Sequence, residues 1–340
     1  MSEILRAQLE AFRTGRHLAE SDTAPLFDGL VTSTDERLLT DLLLAWEEKG
    51  VTEDELFHLA DLMRSRMKGF RHRHPAVVDI VGTGGSRTKT FNVSTAAAFV
   101  VAGAGVPVAK HGNRAATSTS GSADVLELLG VRPDVSSKVA EQCLDEIGIC
   151  FMFAPRYHSL SPVLSNVRRA LGRPCIFNNL GPLCNPAKAS HQVIGVWDRS
   201  LISKTGNVLR RLGTARSWVV HGETGLDEIA RKGVTYIADI SNDGVTMREI
   251  SIADFESFNG HGSVPEDLGP ENSAVLIRKI LSNKKRGSNS EKLVLINAAA
   301  AIYVAGHAES LPEAFALATK SVASGAAGEK LRRLAEATNE

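Results

Sequence analysis

The chain has 340 residues, which is enough for a large core and predicts one α/β domain with a smaller unit beside it. Its 39 basic and 39 acidic residues balance, so no overall charge attracts it to nucleic acid or to an anionic membrane, and an anionic ligand must be held by local groups. The charged amino-terminal stretch and the lack of a long, glycine-free apolar run predict a cytoplasmic protein without a signal peptide or membrane span.

The chain begins with a helical pattern that extends from Ser2 to about Met67. Apolar residues recur at three- and four-residue spacing in "DERLLTDLLLAWEEKG" and in "TEDELFHLADLMRSRM". Gly50 is expected to end one helix, and Thr52 with Glu55 three residues later forms a capping-box pattern that starts the next. Residues 1–70 are therefore predicted to form a small helical domain.

A basic cluster follows in "KGFRHRHPAV", where Gly69 and Pro75 interrupt the helical pattern. Short runs of charge usually lie on the surface, so residues 71–74 are predicted to be a solvated linker. A metal-binding or phosphate-binding role for the cluster is the alternative.

From Ala76 onward, short valine-rich runs alternate with helical patterns. The predicted strands lie in "AVVDIV", "VPVAK", "ICFMFA", "PCIFNN", "HQVIGVW" and "SWVVHG". Strands that alternate with helices indicate a mainly parallel sheet covered on both faces, with ligands at the carboxyl ends of the strands. Residues 283–292, "NKKRGSNSEK", are predicted to form an exposed loop before the last helices.

Four cysteines occur in the second and third quarters of the chain, namely Cys143, Cys150, Cys175 and Cys184. They contain no CxxC pair and are predicted to be buried thiols. A cysteine nucleophile is the alternative, although no feature of the sequence marks a partner histidine.

The stretch "DIVGTGGSRTKTFNVST" combines a strand, a glycine turn and a helix that is expected to start near Ser94 and Thr95. Glycines allow close approach of a backbone to a ligand, and a helix start offers unpaired N–H groups to an anion. The pattern is neither the dinucleotide fingerprint nor a Walker loop. It predicts a phosphate site, with a plain glycine-rich turn before a capped helix as the alternative.

A second stretch, "VPVAKHGNRAATSTSGSADVLELLG", repeats this plan with a helix that is expected to begin near Ser122. Lys110, His111, Asn113 and Arg114 bring several donors to one strand end, which suits a phosphate or carboxylate. A polar loop without a ligand is the alternative.

Two further stretches contain charged residues for which the sequence allows more than one role. In "VVHGETGLDEIA", Asp227 and Glu228 are expected near a helix start, where acids either interact with the helix dipole or hold Mg²⁺ together with substrate phosphate. In "SPVLSNVRRALGRP", Arg168 and Arg169 lie on a predicted helix and either face water or point inward at a carboxylate.

Taken together and in this order, several segments resemble the anthranilate phosphoribosyltransferase family over nearly the whole chain. Each fragment by itself is weakly specific, but the ordered set is highly specific. The segments are "GTGG", "FNVST", "VAKHGNR", "SGSADVLELLG", "FAPRYH", "FNNLGPLCNPA", "VVHGETGLDEIA" and "LINAAAAIYVAG".

The resemblance implies transfer of phosphoribosyl from phosphoribosyl pyrophosphate (PRPP) to the amino group of anthranilate, in tryptophan biosynthesis. It implies an α/β fold of the nucleoside-phosphorylase type. Residues 1–70 would form a helical dimerisation domain, with a segment near 160–185 packed against it, and residues 71–340 would form the catalytic domain. The implied partners are the two substrates and a second copy of the chain, and the implied cofactor is Mg²⁺.

The resemblance also implies roles for individual residues. Lys110, Asn113 and Arg168 would be the catalytic residues. Mg²⁺ would be held by Ser94, Asp227 and Glu228. Anthranilate would contact Gly82, His111, Asn113, His158 and Arg168. PRPP would contact Gly82, Gly85, Ser86, Thr90, Asn92, Val93, Ser94, Thr95, Lys110, Ser118 and Ser122.

The sequence departs from the family pattern in two places. Ser86 replaces the acid that usually follows the glycines, and Arg87 and Lys89 add positive charge to the same loop. The segment before Arg168 contains Pro162 and Asn166 in place of the usual residues. The alternatives are a family member with another aromatic acceptor, a related phosphorylase, and a nucleic-acid-binding paralogue with little transferase activity.

Overall fold

A computed structural model describes residues 2–115, 120–255 and 260–340 of the chain. Residues 2–66 form four helices joined by short loops, as their apolar spacing predicts. The helices are α1 (Ser2–Arg13), α2 (Glu20–Thr32), α3 (Glu36–Lys49) and α4 (Glu53–Arg66). Gly50 ends α3 with a φ of 85°, and the Thr52 hydroxyl accepts the Glu55 N–H while the Glu55 carboxylate accepts the Thr52 N–H, which completes the predicted capping box.

The centre of the larger part is a seven-stranded sheet of order β3-β2-β1-β4-β5-β6-β7. Its strands are β1 (Val78–Gly82), β2 (Val108–Gly112), β3 (Ile149–Phe153), β4 (His191–Gly195), β5 (Arg216–Gly222), β6 (Thr235–Ser241) and β7 (Gly244–Ile250). β1 to β5 are parallel, whereas β6 and β7 run antiparallel at one edge. The prediction of an α/β fold with a mainly parallel sheet is confirmed.

Helices connect the parallel strands and cover the sheet. They are α5 (Val93–Gly103), α6 (Ser122–Leu128), α7 (Ser137–Ile147), α8 (Ala154–Tyr157), α9 (Pro162–Ala170), α10 (Ile176–Leu183), α11 (Leu201–Arg211), α12 (Pro270–Leu281), α13 (Asn289–Val304), α14 (Leu311–Ala323) and α15 (Ala326–Asn339). Within the described ranges, no helix is both long and apolar enough to span a bilayer.

The buried apolar side chains form two clusters. The first joins the sheet to α5, α13, α14 and α15, and the second joins α1 to α4 with α9, α10 and α11. α9 packs against α3, and α10 packs against α3 and α4. The division of the chain into domains at residue 70 stays a prediction. All four cysteines are free and buried, as predicted.

Three local predictions are wrong. The segment "PCIFNN" is not a strand but the start of α10, because the Asn178 side chain accepts the Cys175 N–H and turns the backbone into a helix. No helix starts near Asp227 and Glu228, since the chain after β5 is irregular until β6 begins. The loop predicted over 283–292 ends earlier, because α13 starts at Asn289 and buries its first residues.

Candidate active site

A cleft of about 520 Å³ lies at the carboxyl ends of the parallel strands. The turn after β1, the start of α5, the end of β2 and residues 226–228 form one side, and α9 and α10 form the other. It therefore lies between the two apolar clusters, and most of the polar stretches found in the sequence meet there.

The glycine turn after β1 brings a carboxylate next to its backbone. Gly84 and Gly85 have φ values of 67° and 78°, which other residues rarely adopt. The Gly84 N–H donates to Asp227 Oδ2 at 3.1 Å, and a Cβ at Gly82 would lie 2.6 Å from the same oxygen. A Cβ at Gly195 would lie 1.6 Å from the Asp227 carbonyl oxygen. Because Gly82 in β1 and Gly195 in β4 have no side chain, Asp227 can occupy the space next to both strands.

Asp227 and Glu228 form a pair of adjacent carboxylates at this end of the cleft. Burial raises the pKa of Asp227, and burial together with the Asp227 charge raises the pKa of Glu228 well above its usual value. Glu228 Oε2 is buried and has no hydrogen-bond partner among the described residues. Two partly desolvated carboxylates with an uncommitted oxygen fit a hard cation such as Mg²⁺, which often takes only one or two protein carboxylates beside water and phosphate. No group of three His, Cys, Asp or Glu residues suited to a metal occurs in the described ranges.

Lys110 extends from β2 beneath the glycine turn. Its Nζ donates to the Ile80 carbonyl at 2.5 Å and lies 3.5 Å from Ser94 Oγ. Burial lowers the pKa of Lys110 to about 8, although the charges of Asp79 and Glu228 favour its protonated form. The ammonium is therefore mostly charged at pH 7 and adds positive charge to the floor of the cleft.

The start of α5 supplies polar side chains. The helix begins at Val93, one residue before the predicted start, and Asn92 Oδ1 accepts the hydroxyls of Ser120 and Ser273 at 2.8 and 2.9 Å. Thr95 Oγ1 is buried without a hydrogen-bond partner among the described residues. Val93 does not line the cleft, because its side chain is fully buried in the core. Of the other residues predicted to bind PRPP, Ser118 lies outside the described residues. Those that line the cleft are Gly82, Gly85, Ser86, Thr90, Asn92, Ser94, Thr95, Lys110 and Ser122.

Two histidines form a wall of the cleft away from the carboxylates. His111 Nδ1 lies 3.1 Å from the Gly181 carbonyl, and His111 Nε2 lies 3.2 Å from His158 Nε2. Burial lowers the pKa of His111 to about 3 and that of His158 to about 4, so both rings are neutral at pH 7. Because a carbonyl only accepts, the proton of the neutral His111 ring lies on Nδ1, and His111 Nε2 contacts the His158 ring. Both nitrogens of His111 are thus committed to the protein.

Arg168 enters the cleft from α9. Its guanidinium lies 5.0 Å from the centre of the Phe177 ring, and its Nε is buried without a hydrogen-bond partner among the described residues. Across the cleft, Asn113 uses its Oδ1 to accept the Arg114 N–H at 2.8 Å, which leaves the Asn113 amide hydrogens available. Arg114 itself is committed to Asp124, so it is less available as a donor than the sequence suggested. Arg169, on the same helix as Arg168, is exposed and bonds Asn166.

Sequence reasoning missed two residues that organise the cleft. Asp79 is fully buried, and its carboxylate accepts the His111 N–H at 3.2 Å and the Asn185 side-chain amide at 2.8 Å. Asn178 donates to the Thr83 carbonyl at 3.1 Å and so connects α10 to the glycine turn. An acid within the apolar run "AVVDIV" was a usable signal for Asp79, whereas nothing local marked Asn178.

Comparison with known proteins identifies the family. Residues 74–328 match the family described as "Glycosyl transferase family, a/b domain". Anthranilate phosphoribosyltransferase from Pelotomaculum thermopropionicum is 41% identical, with 96% of this chain and 94% of that protein covered. The protein of the same name from Rhodopseudomonas palustris is 41% identical, with 98% of each chain covered.

Solved structures agree with these relatives. The crystal structure of anthranilate phosphoribosyltransferase from Thermus thermophilus superposes with a TM-score of 0.87 at 34% identity, over 98% of this chain and 99% of that one. The Saccharomyces cerevisiae protein of the same name, solved in complex with PRPP and Mg, shares the fold with a TM-score of 0.88 at 24% identity, over 100% and 99% of the chains. The resemblance seen in the sequence is confirmed. The chain belongs to the a/b-domain glycosyl transferases and, within them, to the anthranilate phosphoribosyltransferase family.

Proposed function

We propose that this chain transfers the phosphoribosyl group of PRPP to the amino group of anthranilate and releases pyrophosphate, as a step in tryptophan biosynthesis. The observation that carries the proposal is a single cleft with two chemically different ends. One end combines a glycine turn, a lysine and two carboxylates, which suits a metal-bound diphosphate. The other end presents an arginine with an unpartnered Nε and an asparagine amide, which suits a small carboxylate.

The donor would lie at the glycine turn. Residues of the turn and of the α5 start line this end of the cleft, and the Lys110 ammonium adds a positive charge below them. Gly82, Gly85, Ser86, Thr90, Asn92, Ser94, Thr95 and Ser122 complete this subsite. Ser94, Asp227 and Glu228 would hold Mg²⁺, which neutralises negative charge on the leaving pyrophosphate when bound.

The acceptor would lie between α9 and the end of β2. Arg168 pairs with the anthranilate carboxylate, and Asn113 donates to the same group or orients the amine. Gly82 and the neutral rings of His111 and His158 form the adjoining wall. Neither ring is needed as a base, because the neutral aromatic amine already carries a free lone pair.

The reaction follows from these positions. The amine nitrogen forms a bond to the anomeric carbon of the ribose while the bond from that carbon to the pyrophosphate oxygen breaks. The resulting N–H proton leaves for water. The transition state resembles an oxocarbenium ion, so the rate depends mainly on orientation and on charge stabilisation of the departing oxygen. Lys110, Asn113 and Arg168 supply that orientation and charge.

The test follows anthranilate fluorescence in the presence of purified protein, PRPP and Mg²⁺. We expect a loss of fluorescence that needs both PRPP and the metal, and a much slower reaction with para-aminobenzoate, whose carboxylate and amine are further apart. An unchanged signal at high enzyme concentration would refute the proposed reaction. A faster reaction with another aromatic amine would assign a different acceptor.

We also propose that the chain forms a homodimer through its helical domain, residues 1–70, and that it resides in the cytoplasm. The four free, buried thiols support a reducing compartment. Light scattering coupled to size exclusion gives the mass directly, and a mass of one 36.4 kDa chain at micromolar concentration would contradict the dimer.

A further inference from the structure

Hydrogen bonds to distant segments hold the loop that follows the glycine turn in place. The Thr88 hydroxyl donates to the Thr224 carbonyl at 2.6 Å. The Lys89 carbonyl accepts the Asp267 N–H at 3.0 Å, and the Thr90 carbonyl accepts the Leu268 N–H at 2.9 Å. Because these contacts come from two distant segments, the backbone of residue 89 has a defined position at the edge of the cleft.

The two cations of this loop have different surroundings. Arg87 is exposed and does not line the cleft. Lys89 is half-buried and lines the cleft, together with Ser94 and Asp227. Within the described part of the chain, the Lys89 side chain has no ion pair or hydrogen bond. Its ammonium therefore has no counter-charge among the described residues, and an anion bound in the cleft would supply one.

The other cations near the donor end have hydrogen-bond partners in the protein. Lys110 Nζ bonds the neutral Ile80 carbonyl and keeps its charge, and Arg114 is paired with Asp124 and Glu127. The residue directly after the glycines is Ser86, whose hydroxyl donates to the Thr88 carbonyl at 3.0 Å and brings no negative charge to the loop. The charge of this loop is therefore positive, and Lys89 is its member that faces the cleft.

We propose that Lys89 binds the pyrophosphate group of the donor and supplies part of the charge neutralisation there without a metal. The inference rests on the proposed function, since it needs a diphosphate at the glycine turn. Lysine binds phosphate oxygens as a mobile point charge, so a single side chain at the rim can reach more than one oxygen.

The test measures binding of inorganic pyrophosphate in EDTA by isothermal titration calorimetry, using the full chain and two matched variants. In Lys89→Gln we expect binding to weaken roughly tenfold to a hundredfold, which is the usual effect of losing one charged hydrogen bond. In Arg87→Gln, which removes the same charge from the exposed neighbour, we expect a change within about twofold, as for an exposed charge. Equal effects in the two variants, or no effect of Lys89→Gln, would overturn the inference.

Two further measurements distinguish the loss of a charge contact to pyrophosphate from general damage to the protein. Lys89→Arg keeps the charge and should retain pyrophosphate binding, and an affinity as weak as that of Lys89→Gln would contradict a charge-based role. The KM for anthranilate should stay unchanged in Lys89→Gln, whereas an equal rise for both substrates would indicate general damage and overturn the assignment. If the unaltered chain binds pyrophosphate neither in EDTA nor in the presence of Mg²⁺, the proposed function itself is refuted.

Discussion

Replacing Glu47 with glutamine should stabilise the fold at alkaline pH and leave its stability at acidic pH nearly unchanged. Glu47 lies near the end of α3, and its Oε1 is buried without a hydrogen-bond partner among the described residues. Burial raises the pKa of this carboxyl from 4.5 to about 7, against the opposing effects of Arg173, the Ile176 N–H, Lys204 and Lys49. The carboxylate is therefore poorly solvated where α3 meets the start of α10.

The size of the effect follows from the shift in pKa. Between pH 4.5 and pH 7 the folded state binds a proton that the unfolded state has released, so stability falls as the pH rises through this window. A shift from 4.5 to about 7 corresponds to about 3 kcal/mol, at about 1.4 kcal/mol per pKa unit. The full contribution is present below pH 4.5 and is lost above pH 7. Glutamine has nearly the same shape and does not titrate, so it should avoid this loss.

Urea denaturation of both proteins at about pH 5, 6.5 and 8 gives the free energy of unfolding on each side of the window. We expect Glu47→Gln to differ little from the natural chain at pH 5 and to be more stable by about 3 kcal/mol at pH 8. Glu48→Gln, a change at the exposed neighbouring position, is the matched control and should show no such trend. A lower stability of Glu47→Gln at pH 8 would refute the reasoning, because it would show that the charged form gains more from Arg173 than it loses by burial.

Three further predictions concern the cleft. In steady-state kinetics, Arg168→Ala should raise the KM for anthranilate roughly tenfold to a hundredfold through loss of a charged hydrogen bond, and should leave the KM for PRPP unchanged. An unchanged KM for anthranilate would remove Arg168 from the acceptor subsite. Ser86→Asp adds a carboxylate beside Asp227, so the reaction rate should reach half of its maximum at a lower Mg²⁺ concentration. An unchanged midpoint of the Mg²⁺ titration would show that residue 86 does not influence metal binding. Gly195→Ala places a Cβ 1.6 Å from the Asp227 carbonyl oxygen, so Asp227 should be displaced and kcat/KM should fall on the order of a hundredfold. A kcat/KM equal to that of the natural chain would contradict the close packing.

Much of this protein was predictable from local sequence. The capping box at Thr52 and Glu55 is satisfied within four residues, so short-range pattern was sufficient to place the start of α4. The valine-rich runs of the parallel strands are buried on both faces, which is why they are readable without knowledge of their partners. The order of the motifs along the chain was enough to indicate the family, because many weak matches in one order are jointly specific.

Other features depended on contacts between distant segments. The short segment "PCIFNN" fits a strand or a buried helix equally well. In the fold, the Asn178 side chain accepts the N–H of Cys175, the residue before α10, and donates to the Thr83 carbonyl 95 residues away. β6 and β7 form an antiparallel hairpin joined by Asn242 and Asp243, whereas no segment after "SWVVHG" was predicted to be a strand.

The electrostatics of the cleft were decided only by the tertiary structure. Asp227 meets the Gly84 N–H across 143 residues of sequence, and whether a charged side chain is paired, buried or open to a ligand is set by such distant neighbours. Arg114 and Lys89 belong to similar polar loops, yet folding pairs Arg114 with Asp124 and leaves Lys89 at the cleft. The sequence by itself determined which chemical groups are present and in what order. Only the fold determined their distances, their burial and therefore their charge.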